Sequence, residues 1–255
     1  MFSLTANPLQ FLRWRQKSSM SSYLFVLCPP YSGSTLLWKL ISTSNNVSAL
    51  PSEGQSLPEL KTLMRGKPWD ATQILPWPDI KAVWETYWDT NKPVLLEKSP
   101  PNLIRVDDIL AHFHPVKFVV MVRNPYAHAE GLIRRNEMKL RRAANFSMMC
   151  LRTQMANVRK LDDALVLTYE SLVEDPVKAC QQLAAFIPHL DDMDPAANFE
   201  VHSIDGTLER PITDFNAKKI ASLDADTIAA MNEVFVQHEQ TFEDWGYTLM
   251  VPDSA

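Results

Sequence analysis

A short loop rich in hydroxyl side chains is the first part of the sequence that can perform chemistry. Ser32, Gly33, Ser34 and Thr35 lie between an apolar run of strand length and an apolar helical segment. A strand, a tight turn and a helix in this order bind anions, because backbone N–H groups and the helix N-terminus favour negative charge. Gly33 lets the backbone approach an anion closely, and the hydroxyl groups add donors. The loop therefore predicts a phosphate-binding site, with a purely structural turn as the alternative.

The loop lacks the features of P-loop proteins that hydrolyse ATP. No lysine precedes Ser34 and Thr35, so the pattern GxxxxGK[ST] is absent. No later predicted strand ends in an obvious aspartate that could hold Mg²⁺. The sequence therefore points away from nucleotide hydrolysis.

A second candidate anion site follows the apolar run Val116–Val122. Arg123 comes directly after this run, and a helical pattern follows it. The carboxyl ends of parallel strands share one edge of a sheet, where ligands bind, so Arg123 should lie on the same rim as the hydroxyl-rich loop. A guanidinium is suited to bidentate phosphate recognition. One site can hold the 5′ group of a nucleotide and the other a 3′-phosphate; the alternative is an arginine with a surface or helix-pairing role.

The apolar pattern predicts the scaffold for these residues. Short apolar runs alternate with helical segments, which predicts an α/β fold, with a central parallel sheet flanked by helices and right-handed crossovers. The predicted strands are residues 23–28, Val94–Glu97, Val116–Val122 and Ala164–Thr168. The predicted helices are residues 35–43, 56–65, 79–90, 102–112, 126–139, 147–160, Pro176–Phe186 and 225–245. Residues 188–215 show no sustained period and are predicted to be irregular.

Composition indicates an ordinary globular chain. It has 255 residues, of which 46% are hydrophobic and 22% charged. We expect one domain over residues 1–255, with residues 1–20 as an N-terminal extension in which residues 2–17 form a surface-packed helix. A net charge of −5 argues against a nucleic-acid polymer as partner, because such binders carry a broad basic face.

Cysteine usage and hydropathy bear on the compartment. Cys28, Cys150 and Cys180 show no CxxC spacing, so we expect buried thiols in a reducing, cytoplasmic compartment. No apolar run approaches the roughly 20 residues of a transmembrane segment, and no secretory signal pattern is found. The histidines and cysteines show no spacing typical of metal ligands, so no metal is expected.

Several segments together resemble sulfotransferases that use 3′-phosphoadenosine 5′-phosphosulfate (PAPS), particularly the branch with tyrosylprotein sulfotransferases and many bacterial relatives. CPPYSGSTLLWKLI is similar to their 5′-phosphosulfate loop, and FVVMVRNPYAHAEGLIRR is similar to their 3′-phosphate motif. LEKSPPNLIRVDDI, LTYESLVEDP and FEDWGYTL are similar to further segments, in the family's order over residues 23–247. The resemblance implies a P-loop nucleotide-binding domain that moves a sulfonate group from PAPS to an acceptor hydroxyl without a metal.

The resemblance also implies roles for single residues. Ser32, Gly33, Ser34 and Thr35 would hold the 5′-phosphosulfate, and Arg123 would bind the 3′-phosphate.

Four further roles follow from the same resemblance. Tyr169 would lie near the adenine, and Lys98 would contact the transferring sulfonate or the oxygen that bridges it to the leaving phosphate. Glu53 stands where the tyrosylprotein branch has its catalytic glutamate. Arg210 would close over the 3′-phosphate.

Two positions depart from the family pattern. Tyr31 stands where the family loop has a lysine or arginine, and Gly131 stands where it has a serine eight residues after the 3′-phosphate arginine. Lys98 or Lys39 could supply the missing cation. The Gly131 backbone, Arg134 or Arg135 could supply the missing contact. These departures affect donor affinity or rate more than the fold.

The expected mechanism is an in-line transfer in which positioning and charge stabilisation dominate, by analogy with phosphoryl transfer. Glu53 would accept the proton of the acceptor hydroxyl, and Lys98 would neutralise charge on the bridging oxygen. A solvated loop acid and a surface lysine are the alternatives. His128 is a rival base, whereas His112 and His114 precede a predicted strand and should lie at the wrong edge of the sheet.

Two other functions stay open at this point. The chain could be a nucleotide-binding module that has lost turnover, or a P-loop kinase of a small molecule. The acceptor class is not determined by the sequence. The tryptophans between residues 57 and 90 could line an acceptor pocket or form a helical subcore, and the basic residues 134–142 could attract an anionic acceptor or form a solvated helix face.

Overall fold

The computed structural model of the protein describes residues 21–203 and 206–251. The predicted helix over residues 2–17 and the N-terminal extension therefore lie outside the described residues. Five parallel strands form one sheet in the order β2-β3-β1-β4-β5. The strands are β1 (Ser22–Leu27), β2 (Val47–Ala49), β3 (Val94–Glu97), β4 (Val116–Val122) and β5 (Ala164–Thr168). The predicted α/β fold with a central parallel sheet is confirmed.

Helices precede and follow the strands in alternation. They are α1 (Ser34–Ile41), α2 (Lys61–Arg65), α3 (Trp77–Tyr87), α4 (Val106–His112), α5 (Pro125–Asn136), α6 (Leu140–Lys160), α7 (Tyr169–Glu174), α8 (Pro176–Phe186), α9 (Asn216–Ala221), α10 (Ala225–Phe235) and α11 (Glu239–Asp244). Short 3₁₀ turns cover Gly54–Ser56, Pro100–Ile104 and Val236–His238. An antiparallel hairpin, β6 (Phe199–Ser203) and β7 (Gly206–Arg210), lies apart from the main sheet.

The central strand β1 explains why the sequence shows apolar runs and not alternation. It pairs with β3 and β4, so that Leu24 stands opposite Leu96 and Lys117. Five of its six residues are buried, because helices cover both faces of the sheet. One face packs on α1 and α8, and the other packs on α3 and α4. A third apolar cluster joins α5, α6 and α10 beside the sheet.

Several predicted boundaries were wrong, for identifiable reasons. Helix α6 begins seven residues before the predicted start. The prediction missed its first turns because the exposed Arg141 and Arg142 interrupt the apolar pattern there. The predicted helix 126–139 ends at Asn136, because Glu137 has a left-handed φ of 51°. Residues 188–215 contain the β6–β7 hairpin, which short strands without a clear alternation did not reveal. Strand β2 has three half-buried residues and gave no pattern.

The fold brings the ends of the strands to one edge. In a parallel sheet every carboxyl end points the same way, so the segments that follow β1, β3, β4 and β5 meet there. Cys28, Cys150 and Cys180 are buried free thiols, as predicted. Within residues 21–203 and 206–251, no helix is both long and apolar enough to cross a membrane.

Candidate active site

A cavity of about 440 Å³ lies at the carboxyl edge of the sheet. Most of the predicted site residues line it together, although they come from distant parts of the chain. These are Tyr31, Gly33, Ser34, Thr35, Glu53, Lys98, Arg123 and Tyr169. The cavity therefore joins the loop after β1 with the residues that follow β3, β4 and β5.

The loop after β1 has the geometry of an anion site. Gly33 has a φ of 87°, a left-handed conformation that favours glycine, and α1 begins at the next residue. A Cβ at this position would lie 2.4 Å from Cδ2 of Tyr169, so a side chain cannot fit. The N–H groups of Leu36 and Leu37 donate to the Gly33 carbonyl, whereas those of Ser34 and Thr35, the first two residues of α1, precede the intrahelical hydrogen bonds and can serve an anion. Ser34 and Thr35 line the cavity, whereas Ser32 is buried and its hydroxyl donates to the carbonyl of Pro29 at 2.7 Å.

Lys98 connects the strand edge to two other predicted residues. It follows the last residue of β3, and its Nζ donates to Oε1 of Glu53 at 2.8 Å and to Oγ1 of Thr35 at 3.3 Å. The Lys98 side chain is 7% exposed and that of Glu53 is 30% exposed, so the ion pair is partly shielded from water. A carboxylate that can accept a proton and a cation that can neutralise developing charge therefore lie beside the anion loop.

Arg123 is held rigidly at the opposite part of the cavity. Its Nε donates to Oδ1 of Asn216 at 2.7 Å, and one terminal nitrogen donates to the carbonyl of Tyr31 at 3.2 Å. The guanidinium stacks on the Tyr169 ring, with its central carbon 3.7 Å from the ring centroid. Its second terminal nitrogen, Nη2, is buried and has no hydrogen-bond partner in the described part of the chain. Burial lowers the pKa of Arg123, while Tyr169 and the nearby acids oppose that effect. An anion placed against Nη2 would satisfy this donor.

The two unusual positions, Tyr31 and Gly131, lie against each other. A Cβ at Gly131 would stand 3.0 Å from Cβ of Tyr31 and 2.9 Å from Nζ of Lys219. The absence of a side chain at Gly131 therefore makes room for both neighbours. What the sequence presents as two separate departures is one packing arrangement that admits a lysine from α9.

Lys219 is a buried cation that no local sequence pattern indicates. Its Nζ lies 3.1 Å from Oε2 of Glu130 and donates to the carbonyl of Ala127 at 3.2 Å. Glu130 also pairs with Arg134. Burial and, after it, the positive charge of Arg123 lower the pKa of Lys219 to about 8, against the opposing effect of Glu130. Lys219 lines the same cavity as Arg123, so two cations serve this part of it.

Tyr169 is positioned by a capped helix and by the segment before α9. Thr168 and Ser171 form a reciprocal capping box at the start of α7, which fixes the turn that carries the ring. The Tyr169 hydroxyl accepts from the N–H of Phe215 at 3.0 Å and donates to the carbonyl of Thr213 at 3.3 Å. With the hydroxyl engaged and one ring face under the Arg123 guanidinium, the rest of the ring is the part of Tyr169 that lines the cavity.

Other candidates from the sequence lie away from the cavity lining. His128 is buried and bonds to Ser147 through Nδ1 at 2.8 Å, and burial lowers its pKa to about 3, with nearby Lys219 and Arg123 as further causes. A neutral, enclosed imidazole is a poor rival base. Lys39 donates to the carbonyl of Glu200 at 2.9 Å and does not line the cavity. The Arg210 guanidinium lies 5.6 Å from the Phe215 ring and also stays outside the lining.

The tryptophan-rich segment mainly serves the core. Trp77, Trp84 and Trp88 are buried in the cluster that covers one face of the sheet, so the subcore interpretation is confirmed for them. Trp69 differs, because it lines the cavity together with Arg65. No local pattern separates Trp69 from the core tryptophans.

The cavity contains further residues that sequence reasoning named only as substitutes or did not name. Arg134 and Arg135 line it, as the suggested replacements for a missing hydroxyl. Lys219 also lines the cavity, whereas Asn216 lies outside the lining and accepts a hydrogen bond from Arg123; only the folded chain relates either residue to Arg123. Gln55 lines the cavity beside Glu53, to which its side-chain amide donates at 2.7 Å.

Comparisons with known proteins agree with this geometry. The model of the "Sulfotransferase family" matches residues 24–191. No curated protein sequence was found to match the chain. Three solved structures share the fold: the sulfotransferase domain from the curacin biosynthetic pathway (TM-score 0.56, 21% identity, 91% of this chain and 99% of that chain), the sulfotransferase domain from the Synechococcus PCC 7002 olefin synthase (0.53, 21%, 91% and 97%), and a sulfotransferase from Alicyclobacillus acidocaldarius (0.57, 14%, 89% and 96%).

Proposed function

This chain belongs to the sulfotransferase family, and we propose that it moves a sulfonate group from PAPS to a hydroxyl group of an acceptor. The observation that carries the proposal is that one cavity joins the Lys98–Glu53 pair and the anion loop to the buried Arg123. A donor with a 5′-phosphosulfate and a 3′-phosphate has charges that match both parts. The three buried thiols favour a reducing compartment, and we propose the cytoplasm.

The residues present fit such a donor. Nη2 of Arg123 is a buried donor without a partner, which a 3′-phosphate oxygen would satisfy. Gly33 lets the loop backbone approach the 5′ group, and the N-terminus of α1 favours its negative charge. The Arg123 guanidinium covers one face of the Tyr169 ring, and the adenine would contact the part of the ring that lines the cavity.

Lys219 accounts for the two departures from the family pattern. Tyr31 and Gly131 remove a cation and a hydroxyl, but their packing leaves space for the Lys219 ammonium beside Arg123. A second cation near the 3′-phosphate compensates for the lost contact, because charge-assisted hydrogen bonds are about twice as strong as neutral ones. We propose that Lys219 is part of the donor site.

The transfer step relies on two side chains. PAPS, when bound, supplies a sulfonate with a phosphate leaving group. Glu53 would take the proton of the acceptor hydroxyl while the oxygen of that hydroxyl forms a bond to sulfur. The bond from sulfur to the bridging oxygen of the donor would break in the same step. Lys98 neutralises the charge that develops on that oxygen, so the residues need no metal for this step.

Donor binding is the first test of the proposal. The product 3′-phosphoadenosine 5′-phosphate (PAP) is titrated by calorimetry without magnesium, beside AMP and ATP. We expect PAP to bind most tightly, and Arg123→Ala to weaken PAP by about 10- to 100-fold with little effect on AMP, as loss of a charge-assisted bond predicts. The exposed Arg142, which lies outside the cavity lining, provides the control Arg142→Ala. Equal binding of PAP and AMP would overturn the donor assignment.

Turnover is the second test, with PAPS and a panel of phenols, sugars, lipids and peptides. Sulfonated product should form without magnesium, and Glu53→Gln should lower kcat by about 10²- to 10⁴-fold while PAP still binds. Binding of PAP without product from any acceptor would favour a nucleotide-binding module that lacks turnover. Magnesium-dependent phosphate transfer from ATP would indicate a kinase.

A further inference from the structure

The peptide groups that follow Glu53 are held by buried side chains on several sides. The N–H of Gly54 donates to Oε1 of Glu97 at 2.9 Å, and the Gly54 carbonyl accepts from Nε1 of Trp84 at 3.2 Å. The next N–H, from Gln55, donates to Oγ of Ser99 at 3.2 Å. The loop that carries Glu53 is therefore fastened by its backbone and not by its apolar side chains alone.

Glu97 is the centre of these contacts. It is the last residue of β3, it is fully buried, and it does not line the cavity. Its carboxylate accepts from the Gly54 N–H, from the Ser99 hydroxyl and from the Asn102 side-chain amide. Three donors converge on one buried acid, which is an arrangement that fixes all of them relative to the sheet.

The same arrangement fixes both members of the proposed catalytic pair. Lys98 follows Glu97 directly in the chain, and Glu53 precedes Gly54, whose N–H Glu97 accepts. Steric contact adds to the fit, since a Cβ at Gly54 would lie 2.6 Å from the Trp84 ring. A change at Glu97 would therefore alter the position of Glu53 relative to Lys98.

We propose that Glu97 is a positioning residue for the transfer step: it accepts the Gly54 N–H and so holds Glu53 at its 2.8 Å contact with Lys98. Glu97 does not touch the substrates and acts through Glu53. The inference rests on the proposed function, and it names a determinant of kcat that lies behind the cavity wall.

Two substitutions at Glu97 separate its hydrogen bonds from its charge. Glu97→Gln keeps an oxygen for Gly54 and Ser99, and the Asn102 amide can rotate to present its oxygen to the new nitrogen. Glu97→Ala removes the acceptor. We expect Glu97→Ala to lower kcat at least 30-fold with PAP affinity within about twofold of the parent, and Glu97→Gln to stay within threefold of the parent kcat.

Two buried serines provide a milder test and its control. Ser99→Ala is the test variant, and Ser147→Ala is the matched control. Ser99 and Ser147 are both fully buried serines that form side-chain hydrogen bonds. Only Ser99 belongs to the contacts around Gly54. We expect Ser99→Ala to lower kcat about tenfold and Ser147→Ala to leave kcat and PAP affinity unchanged. Equal effects of the two substitutions would overturn the proposal.

A double-mutant cycle decides whether Glu97 acts through Glu53. If it does, adding Glu97→Ala to Glu53→Gln changes the residual rate by less than twofold. If the losses of kcat in the two single variants multiply in the double variant, the inference is overturned. A parent-like kcat for Glu53→Gln or for Glu97→Ala would also overturn it. Loss of PAP affinity in parallel with kcat in both Glu97→Ala and Ser99→Ala would indicate a merely structural role and would also overturn it.

Hydrogen exchange gives a readout that does not need turnover. The amides of Gly54 and Gln55 should exchange faster in Glu97→Ala than in the parent protein, and at the parent rate in Glu97→Gln. If the parent makes no sulfonated product but this pattern is seen, the proposed function fails while the attachment of the loop to Glu97 stands. Unchanged exchange in Glu97→Ala overturns the inference whatever the activity.

Discussion

At the scale of single residues, the charges of Arg123, Lys219 and Glu130 act on one another. The first two are cations that share a cavity wall, and Glu130 pairs with Lys219 at 3.1 Å. Two neighbouring buried cations destabilise one another, and this repulsion together with burial lowers the pKa of Lys219 to about 8. The same repulsion would become attraction for a dianion bound between them.

Donor affinity should therefore depend on pH in a defined direction. Lys219 is protonated below pH 8 and loses its charge as the pH rises through that value. We expect PAP affinity to be highest near pH 6.5–7 and to fall about tenfold or more by pH 9.5, since one charge-assisted bond is lost. Calorimetry of the parent and of Lys219→Met checks this.

Lys219→Met should lower the affinity for PAP at neutral pH and flatten the pH dependence of that affinity above pH 7. Bound phosphate raises the pKa of a nearby lysine. The fall in PAP affinity should therefore be centred at a pH above the pKa that Lys219 has in the free protein. A profile that stays steep in Lys219→Met would assign the titration to another group.

Residue identities in the site were predictable to the extent that local motifs contain them. Glu53, Lys98 and Arg123 each follow a predicted strand or helix, and the parallel sheet brings them to one edge. Lys219 was not predictable, because no local pattern relates α9 to Arg123, which follows β4. The buried acid Glu97 ends a strand that otherwise reads as apolar, which was the one available signal of its role.

At the scale of elements, helix N-termini determine where the site residues lie. Asn124 caps α5, and its side chain accepts from the N–H groups of Tyr126 and Ala127. The cap lies directly after Arg123, so it fixes the turn between β4 and α5. Its own N–H donates to Glu170 at 2.9 Å, which ties this turn to α7.

The caps of α5 and α8 offer a matched pair of substitutions. Asp175 caps α8 by accepting from the N–H of Lys178, and it does not line the cavity. We expect Asn124→Ala and Asp175→Ala each to lower the free energy of unfolding by about 1 kcal/mol, the usual cost of losing a cap. Only Asn124→Ala should also weaken PAP, because Arg123 is displaced. Urea unfolding and calorimetry measure the two effects, and equal PAP affinity in both variants would contradict the assignment.

Apolar runs made β1, β3 and β4 predictable through their burial, and they also made β5 predictable, although Leu167 is its one buried residue. Strands buried on both faces read as apolar runs, and Asp175-Pro176 marked the start of α8 correctly. The hairpin β6–β7 lies outside the sheet and has no such run, so its residues appeared irregular. The first turns of α6 were hidden because the exposed Arg141 and Arg142 interrupt its apolar residues there.

At the scale of the whole molecule, a buried acid makes stability depend on pH. Burial raises the pKa of Glu97 from 4.5 to about 7, and the charge of Glu53 adds to the rise while Lys98 opposes it. Between these two pKa values the folded protein holds a proton that the unfolded chain has lost. The contribution of Glu97 to stability is therefore greatest below pH 4.5, falls as the pH rises to about 7, and is constant above that.

Glu97→Gln removes this titration from the folded state. The free energy of unfolding of Glu97→Gln minus that of the parent should rise by about 2 kcal/mol from pH 5 to pH 8. Thermal or urea unfolding of both proteins at the two pH values measures the difference, in which other titrating groups cancel. A difference that is the same at pH 5 and pH 8 would show that Glu97 ionises at its ordinary pKa.

The shared position of Lys98 has a consequence for the sequence of events in catalysis. Its ammonium donates to Glu53 and to Thr35, so a donor that recruits Lys98 draws it away from the carboxylate. On the proposed function, Glu53 stays in place beside Lys98 because Gly54 remains bound to Glu97, and its carboxylate is released for a proton once Lys98 turns to the nucleotide. An acceptor that entered first would meet a carboxylate already engaged. We therefore expect an ordered kinetic scheme in which the nucleotide binds first and leaves last, with PAP competitive against PAPS and noncompetitive against the acceptor.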